Sequence, residues 1–205
     1  MPSTLFYIHD PLCSWCWGFR PALDALLERL PPDLVRERLL GGLAPDSDQP
    51  MADALREQLQ ETWRRIQARI PGTRFDFAFW TRCAPRRSTW PACRAVIAAR
   101  HQDPAYDQAM TLAIQRAYYL EARNPSDPET LISLAAEIGA DTNRFVHDLN
   151  CARTRSTLAQ EIAQARAMGV DSFPALVLAC SGSRWRIPVD YTNPDAMLST
   201  IVLLL

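Results

Sequence analysis

The chain has no lysine: all 22 of its strongly basic residues are arginine. Genomic base composition accounts for such a bias, but it has a chemical consequence. No ammonium side chain is present to act as a base, form a Schiff base or pair with a thiolate. Long apolar runs are also missing. Even the C-terminal run "IVLLL" is far too short to span a bilayer. "MPSTLFYIHD" passes straight into a strand-like run, without the basic and apolar regions of a secretory signal. With that as the native start, a cytoplasmic protein is expected. Charge of one sign is not in surplus either: 22 basic residues face 23 acidic ones, for a formal net charge of −1. That balance gives no electrostatic reason to expect nucleic acid or an anionic membrane as partner. Six cysteines are too few to make a disulfide scaffold of 205 residues. Four of them, Cys83, Cys93, Cys151 and Cys180, are expected as inert thiols of unassigned role. No repeat or low-complexity linker is visible, and nothing selects an oligomeric state.

What is present is enough chain, 48% hydrophobic, for one large domain or one domain carrying a substantial insertion. "TLFYIH" (4–9) reads as a buried strand that stops at Asp10-Pro11. From Cys13 to Leu30 apolar residues recur at helical spacing until Pro31-Pro32 ends the pattern, and Pro21 lies inside it, where it should kink the helix. "LVRERLLGGL" (34–43) reads as a second strand. Residues 46–150 then change character. Amphipathic helical patterns fill 51–70, 88–102, 104–122 and 127–140, with a short helix at 142–150. Ser88 or Thr89 is a candidate cap for the second of these, and the aromatic run "FDFAFW" (75–80) reads as extended. The strand signal returns after a helix over 155–169. "PALVLACS" and "SRWRIPV" form a hairpin across Ser181-Gly182, and "PDAMLSTIVLLL" closes the chain as a helix. The order is β-α-β, a helical block, then α-β-β-α. The expected organisation is an α/β domain of residues 1–45 and 151–205, with an all-helical domain, 46–150, inserted between its halves.

The chemistry concentrates in "DPLCSWCWGFRP". Cys13-Ser14-Trp15-Cys16 places two thiols at the start of a helix that follows a strand. A thiolate there faces unpaired backbone N–H groups and the positive end of the helix dipole, and such motifs lower a thiol pKa to roughly 3.5–7.5. The first cysteine, at the exposed helix end, attacks. The second, one turn in, resolves the mixed disulfide. Zinc needs four ligands, usually from two close pairs, and no second pair accompanies this one, so no metal is expected. Trp15, Trp17 and Phe19 surround the thiols, Trp15 as a candidate substrate platform and the other two more naturally as core. His9 is a candidate thiolate partner, Ser14 a candidate hydrogen-bond donor to Cys13, and Asp10 a candidate proton carrier. Near the other end, "GVDSFPALVL" places Pro174 directly before a strand, where a cis bond is plausible.

Taken together, "DPLCSWCWGF", "GVDSFPALVL", "GGL" (41–43), "STWPACRAV" and "QRAYYLE" resemble the DsbA-like branch of the thioredoxin superfamily, and within it the group of predicted protein-disulfide isomerases. The resemblance implies a thioredoxin-like fold with a helical insertion and thiol–disulfide exchange centred on Cys13. It further implies a cis Pro174, with Phe173 presenting its backbone to substrate, and Pro21 as the helix-kinking proline common in thioredoxins. Substrates would be protein or small-molecule thiols and disulfides, with no cofactor beyond glutathione as a redox co-substrate. Two departures stand out. Tyr7 occupies the position, six before the first cysteine, where many thioredoxins carry a buried acid, and bulky Phe173 precedes the loop proline, where it could narrow the substrate groove. Two alternatives remain open. One is a glutathione-dependent transferase or isomerase of the kappa-class or 2-hydroxychromene-2-carboxylate isomerase type, in which Cys16 would be dispensable. The other is a non-catalytic peptide-binding or chaperone module.

Overall fold

Strand β1 (Thr4–His9) is the organising element because it is buried on both sides. The computed structural model describes residues 3–205, and in it β1 is a central strand of a four-stranded sheet of order β2-β1-β3-β4. Asp10 turns the chain: its carboxylate accepts from the Leu12 N–H at 2.8 Å and its carbonyl from the Cys13 N–H at 3.0 Å. Helix α1 (Ser14–Leu27) follows and contains Pro21. Strand β2 (Val35–Leu40) returns parallel to β1, with Thr4 opposite Val35 and His9 opposite Leu40. The strand stops short of the expected residue 43: the Gly41 N–H still bonds the His9 carbonyl at 2.7 Å, but Gly42 takes a φ of 63° and turns the chain away.

Six helices follow: α2 (Asp53–Arg69), α3 (Phe79–Arg82), α4 (Trp90–Arg100), α5 (Tyr106–Leu120), α6 (Pro128–Glu137) and α7 (Thr142–Leu149). Helix α8 (Ala152–Ala167) leads to β3 (Ala175–Cys180), β4 (Ser183–Ile187) and α9 (Pro194–Leu204). Strands β3 and β4 are antiparallel across Ser181 and Gly182, whose φ values of 51° and 80° are those a two-residue hairpin turn requires. None of the helices among the described residues is long and apolar enough to cross a membrane.

The chain divides into two compact units, one of residues up to Gly41 with Glu161–Leu205, the other Gly42–Gln160. In the first, the alternation of β1 and β3 supplies two cores. Leu5, Tyr7, Leu176 and Leu178 pack with Phe19, Leu23 and Leu26 of α1 and Met197 and Ile201 of α9. Ile8, Ala175 and Val177 point the other way and meet Leu39, Ala165 and Val170. The buried carboxylate of Glu161 accepts from the Leu40 N–H at 2.8 Å and so ties α8 to the end of β2.

The second unit is built on α4, whose residues 92–99 are all buried. Thr89 is its N-cap by position, but its hydroxyl bonds the main chain of Ala44 instead. The stretch 75–80 is not extended. The Asp76 carboxylate accepts from the Ala78 N–H at 2.9 Å, the next residues turn, and α3 begins at Phe79. The cause is tertiary: the rings of Phe75, Phe79, Trp80, Tyr118 and Tyr119 wrap around the fully buried Trp63, with centroids 4.8–6.2 Å away. A straight strand would keep Phe75, Phe77 and Phe79 on one face but turn Trp80 away from that indole.

Candidate active site

Cys13 is the N-cap of α1. Its sulfur accepts from the Cys16 N–H at 3.4 Å, the bond a serine or aspartate side chain would make at that position. Its thiol donates to the carbonyl of Phe173, also at 3.4 Å. Both cysteines are free thiols. The expectation of an exposed first cysteine needs correction: Cys13 is 7% exposed and Cys16 1%. The loop before β3 covers the helix end, its Phe173 carbonyl lying against the Cys13 sulfur. The order of exposure still distinguishes the thiols, Cys13 being the less buried of the two. Burial, followed by the adjoining Cys13, pushes the Cys16 thiol well above its ordinary pKa, and a hydrogen bond from the Asp10 N–H offsets part of the rise.

Tyr7 completes the buried side of the pair. It is 6% exposed and adjoins Cys16. Burial first, then the adjoining Cys16, keeps the phenol protonated far above the usual tyrosine range, despite the opposing charge of Arg38. His9, two residues on along β1, stacks on Tyr7 with centroids 4.8 Å apart and planes within 3°. Arg38 lies over the Tyr7 ring at 5.5 Å, and its guanidinium meets His9 Nε2 at 3.3 Å. The structure therefore brings His9 to Tyr7 and Arg38. Asp10 is fully buried and forms the turn before Cys13, while Ser14 is buried in the first turn of α1. Tyr7 opposes Arg38 in the β1–β2 register, an alignment that single residues do not announce.

The loop that faces Cys13 ends in a cis Phe173–Pro174 bond. The Phe173 ring folds back over Gly41, where an added Cβ would fall inside the ring's van der Waals envelope. On the other flank, half-buried Trp15 meets Tyr191 at 5.1 Å, and Tyr191 in turn meets Phe19 edge-on at 5.7 Å. Trp17 and Phe19 are buried, as core positions require. Tyr191, from the β4–α9 connection, carries no motif, and only the folded chain brings it beside Trp15. Among the described residues no three His, Cys, Asp or Glu side chains cluster to hold a metal ion. Cys83 donates to the Ala122 carbonyl at 3.1 Å, and Cys93 is fully buried.

A thiol pair at the N-terminus of a helix after the first strand, capped by a proline loop that leads into an antiparallel strand, defines a thioredoxin-type dithiol fold. The chain belongs to the thioredoxin family, whose family model, described as "Thioredoxin", matches residues 6–184. Among solved structures it is similar to a protein proposed to be a disulfide isomerase from Nitrosomonas europaea, at 26% identity and a TM-score of 0.84 over 100% of this chain and 99% of that one. It is similar also to the cytosolic disulfide reductase DsbM from Pseudomonas aeruginosa, at 27% identity and a TM-score of 0.80 over 98% of each chain. DsbM has been solved with GSH as well. Among curated proteins, the ClpXP adapter protein SpxH of Halalkalibacterium halodurans is 27% identical over 86% of this chain. The chain spans 58% of that protein's length.

Proposed function

We propose that this chain is a thiol–disulfide oxidoreductase working through Cys13 and Cys16. The observation that carries the proposal is the Cys13 sulfur itself: it caps α1 through the Cys16 N–H and faces the Phe173 carbonyl. The Cys13 thiolate attacks one sulfur of a substrate disulfide, forming a mixed disulfide and expelling the other sulfur as a thiolate, which takes up a proton. Cys16 then gives up its proton as its sulfur attacks the Cys13 sulfur. The Cys13–Cys16 disulfide forms, and the second substrate thiol leaves with that proton. Run backwards, the same steps oxidise a substrate dithiol.

Substrates are protein or small-molecule disulfides. An extended chain pairs with the backbone edge at Phe173 and Pro174, as in strand addition, and lies against Trp15. Glutathione as redox co-substrate is supported by the similarity to DsbM solved with GSH. A cytoplasmic setting, where reductase or isomerase work is favoured, is supported by the same protein's cytosolic description. The likeness to a ClpXP adapter favours a second reading, a binding module that needs no thiol chemistry.

Cys16→Ser separates these. Incubated with glutathione disulfide and with an oxidised protein, it should accumulate a dithiothreitol-sensitive adduct on Cys13 with both. Trapping only glutathione, with undiminished turnover of an aromatic electrophile, points to a glutathione transferase instead. No adduct at all overturns the enzymatic reading. An adapter would keep its partner binding in Cys13→Ser.

A further inference from the structure

Gly41 directly follows β2, its N–H completing the ladder to β1. Its φ lies outside the left-handed region that favours glycine, so the backbone alone would accept any residue there. What forbids a side chain is the Phe173 ring: Cζ and Cε1 occupy the space that a Cβ at 41 would need. Phe173 also packs against the buried cluster that Ile8, Leu39, Ala165, Val170, Ala175 and Val177 form. The same residue's carbonyl is what the Cys13 thiol meets at 3.4 Å, so a ring anchored on one side fixes a main-chain acceptor on the other. The bulky residue before Pro174 thus packs into the sheet rather than standing free in the loop.

We propose that Gly41 and Phe173 form a notch-and-ring pair that positions the 173 carbonyl against Cys13, with Gly41 a positioning residue for thiol–disulfide exchange. The proposal rests on the oxidoreductase reading above. A methyl at 41 displaces the ring and with it the carbonyl. A smaller residue at 173 leaves the notch empty and the carbonyl unanchored. Either change misaligns the edge along which a substrate disulfide is presented, while the Cys13 sulfur stays at the helix N-terminus. Combining the two refills the notch, so their effects should cancel rather than multiply.

The test compares wild type, Gly41→Ala, Phe173→Val and the double variant. The readouts are the rate of Cys13–Cys16 oxidation by glutathione disulfide and alkylation of Cys13 by iodoacetamide, which needs no edge. Misplacement by a fraction of an ångström predicts oxidation slowed about tenfold in each single variant. Alkylation should stay within about threefold of wild type, because the Cys13 sulfur remains at the N-cap of α1 and iodoacetamide needs no backbone partner beside it. The double variant should oxidise faster than Phe173→Val. That comparison stands even where Gly41→Ala alone folds poorly. A double variant as slow as Phe173→Val or slower, or single variants as fast as wild type, overturns the pairing while leaving the oxidoreductase reading in place. A wild type that glutathione disulfide cannot oxidise overturns both.

Discussion

Replacing Tyr7 by phenylalanine removes one hydroxyl from a buried site, Tyr7 and Cys16 being 6% and 1% exposed. The ring, its stacking on His9 and the Arg38 contact all remain. What is lost is the hydroxyl that adjoins Cys16, the one group of that side chain able to donate to a thiolate forming there. An unmade buried hydrogen bond costs about 1–3 kcal/mol, and a sulfur acceptor places this one near the lower end. At 1.4 kcal/mol per factor of ten, the resolving step should slow roughly five- to tenfold, because that step develops negative charge on Cys16. The first step, at Cys13, should be unaffected. Both are measurable on one sample: a Cys13–glutathione mixed disulfide is preformed, the release of glutathione is followed by rapid mixing, and Cys13 alkylation is timed separately. Tyr7→Phe should also move the pH profile of release toward higher pH. Release at the wild-type rate with an unchanged profile would refute the argument that Tyr7 supports Cys16.

Trp15→Ala and Tyr191→Ala each break an aromatic contact worth about 0.5–1.5 kcal/mol. Each should raise the KM for an oxidised peptide roughly threefold to tenfold with kcat little changed, and the double variant should be hardly worse than either single one. In the reduced protein Cys16 and Tyr7 have pKa values raised above their ordinary values near 9 and 10, so the native state holds protons that the unfolded chain releases. Their contribution to stability is complete below pH 9 and falls as pH rises toward the folded values. Urea melts at pH 7 and pH 10 should show that loss, and forming the Cys13–Cys16 disulfide should remove the cysteine part of it. Trp63→Ala removes a fully buried indole from its ring of aromatic neighbours and should destabilise the fold by about 3–5 kcal/mol, seen as a lower urea midpoint.

The element order was legible because the chain punctuates itself. Pro31-Pro32 closes the first helical pattern, Gly139 and Gly169 take positive φ just beyond α6 and α8, and Ser181-Gly182 makes the hairpin. The aromatic run 75–80 misled because strand propensity reports a half-buried pleated surface, and these rings found a buried indole instead. Cys13, Cys16, Phe173 and Pro174 could be named from two short motifs. The covering of Cys13 could not, since its acceptor lies 160 residues further along. The setting of Tyr7 was hidden for a related reason. Arg38 reaches its ring only through the parallel register of β1 and β2, and no motif announces the stacking of His9 on that ring. Gly41 looked like part of a motif, and only the Phe173 ring explains its missing side chain.

The most direct test of the central claim is a redox titration of the wild-type chain in glutathione buffers, with the free thiols at Cys13 and Cys16 counted by alkylation and mass spectrometry. The account predicts that both disappear together as one intramolecular disulfide, in a single two-electron transition of about 30 mV per tenfold change in the reduced-to-oxidised ratio. Cys13 and Cys16 that titrate separately, or a Cys13–glutathione adduct that persists while Cys16 stays free, would contradict it.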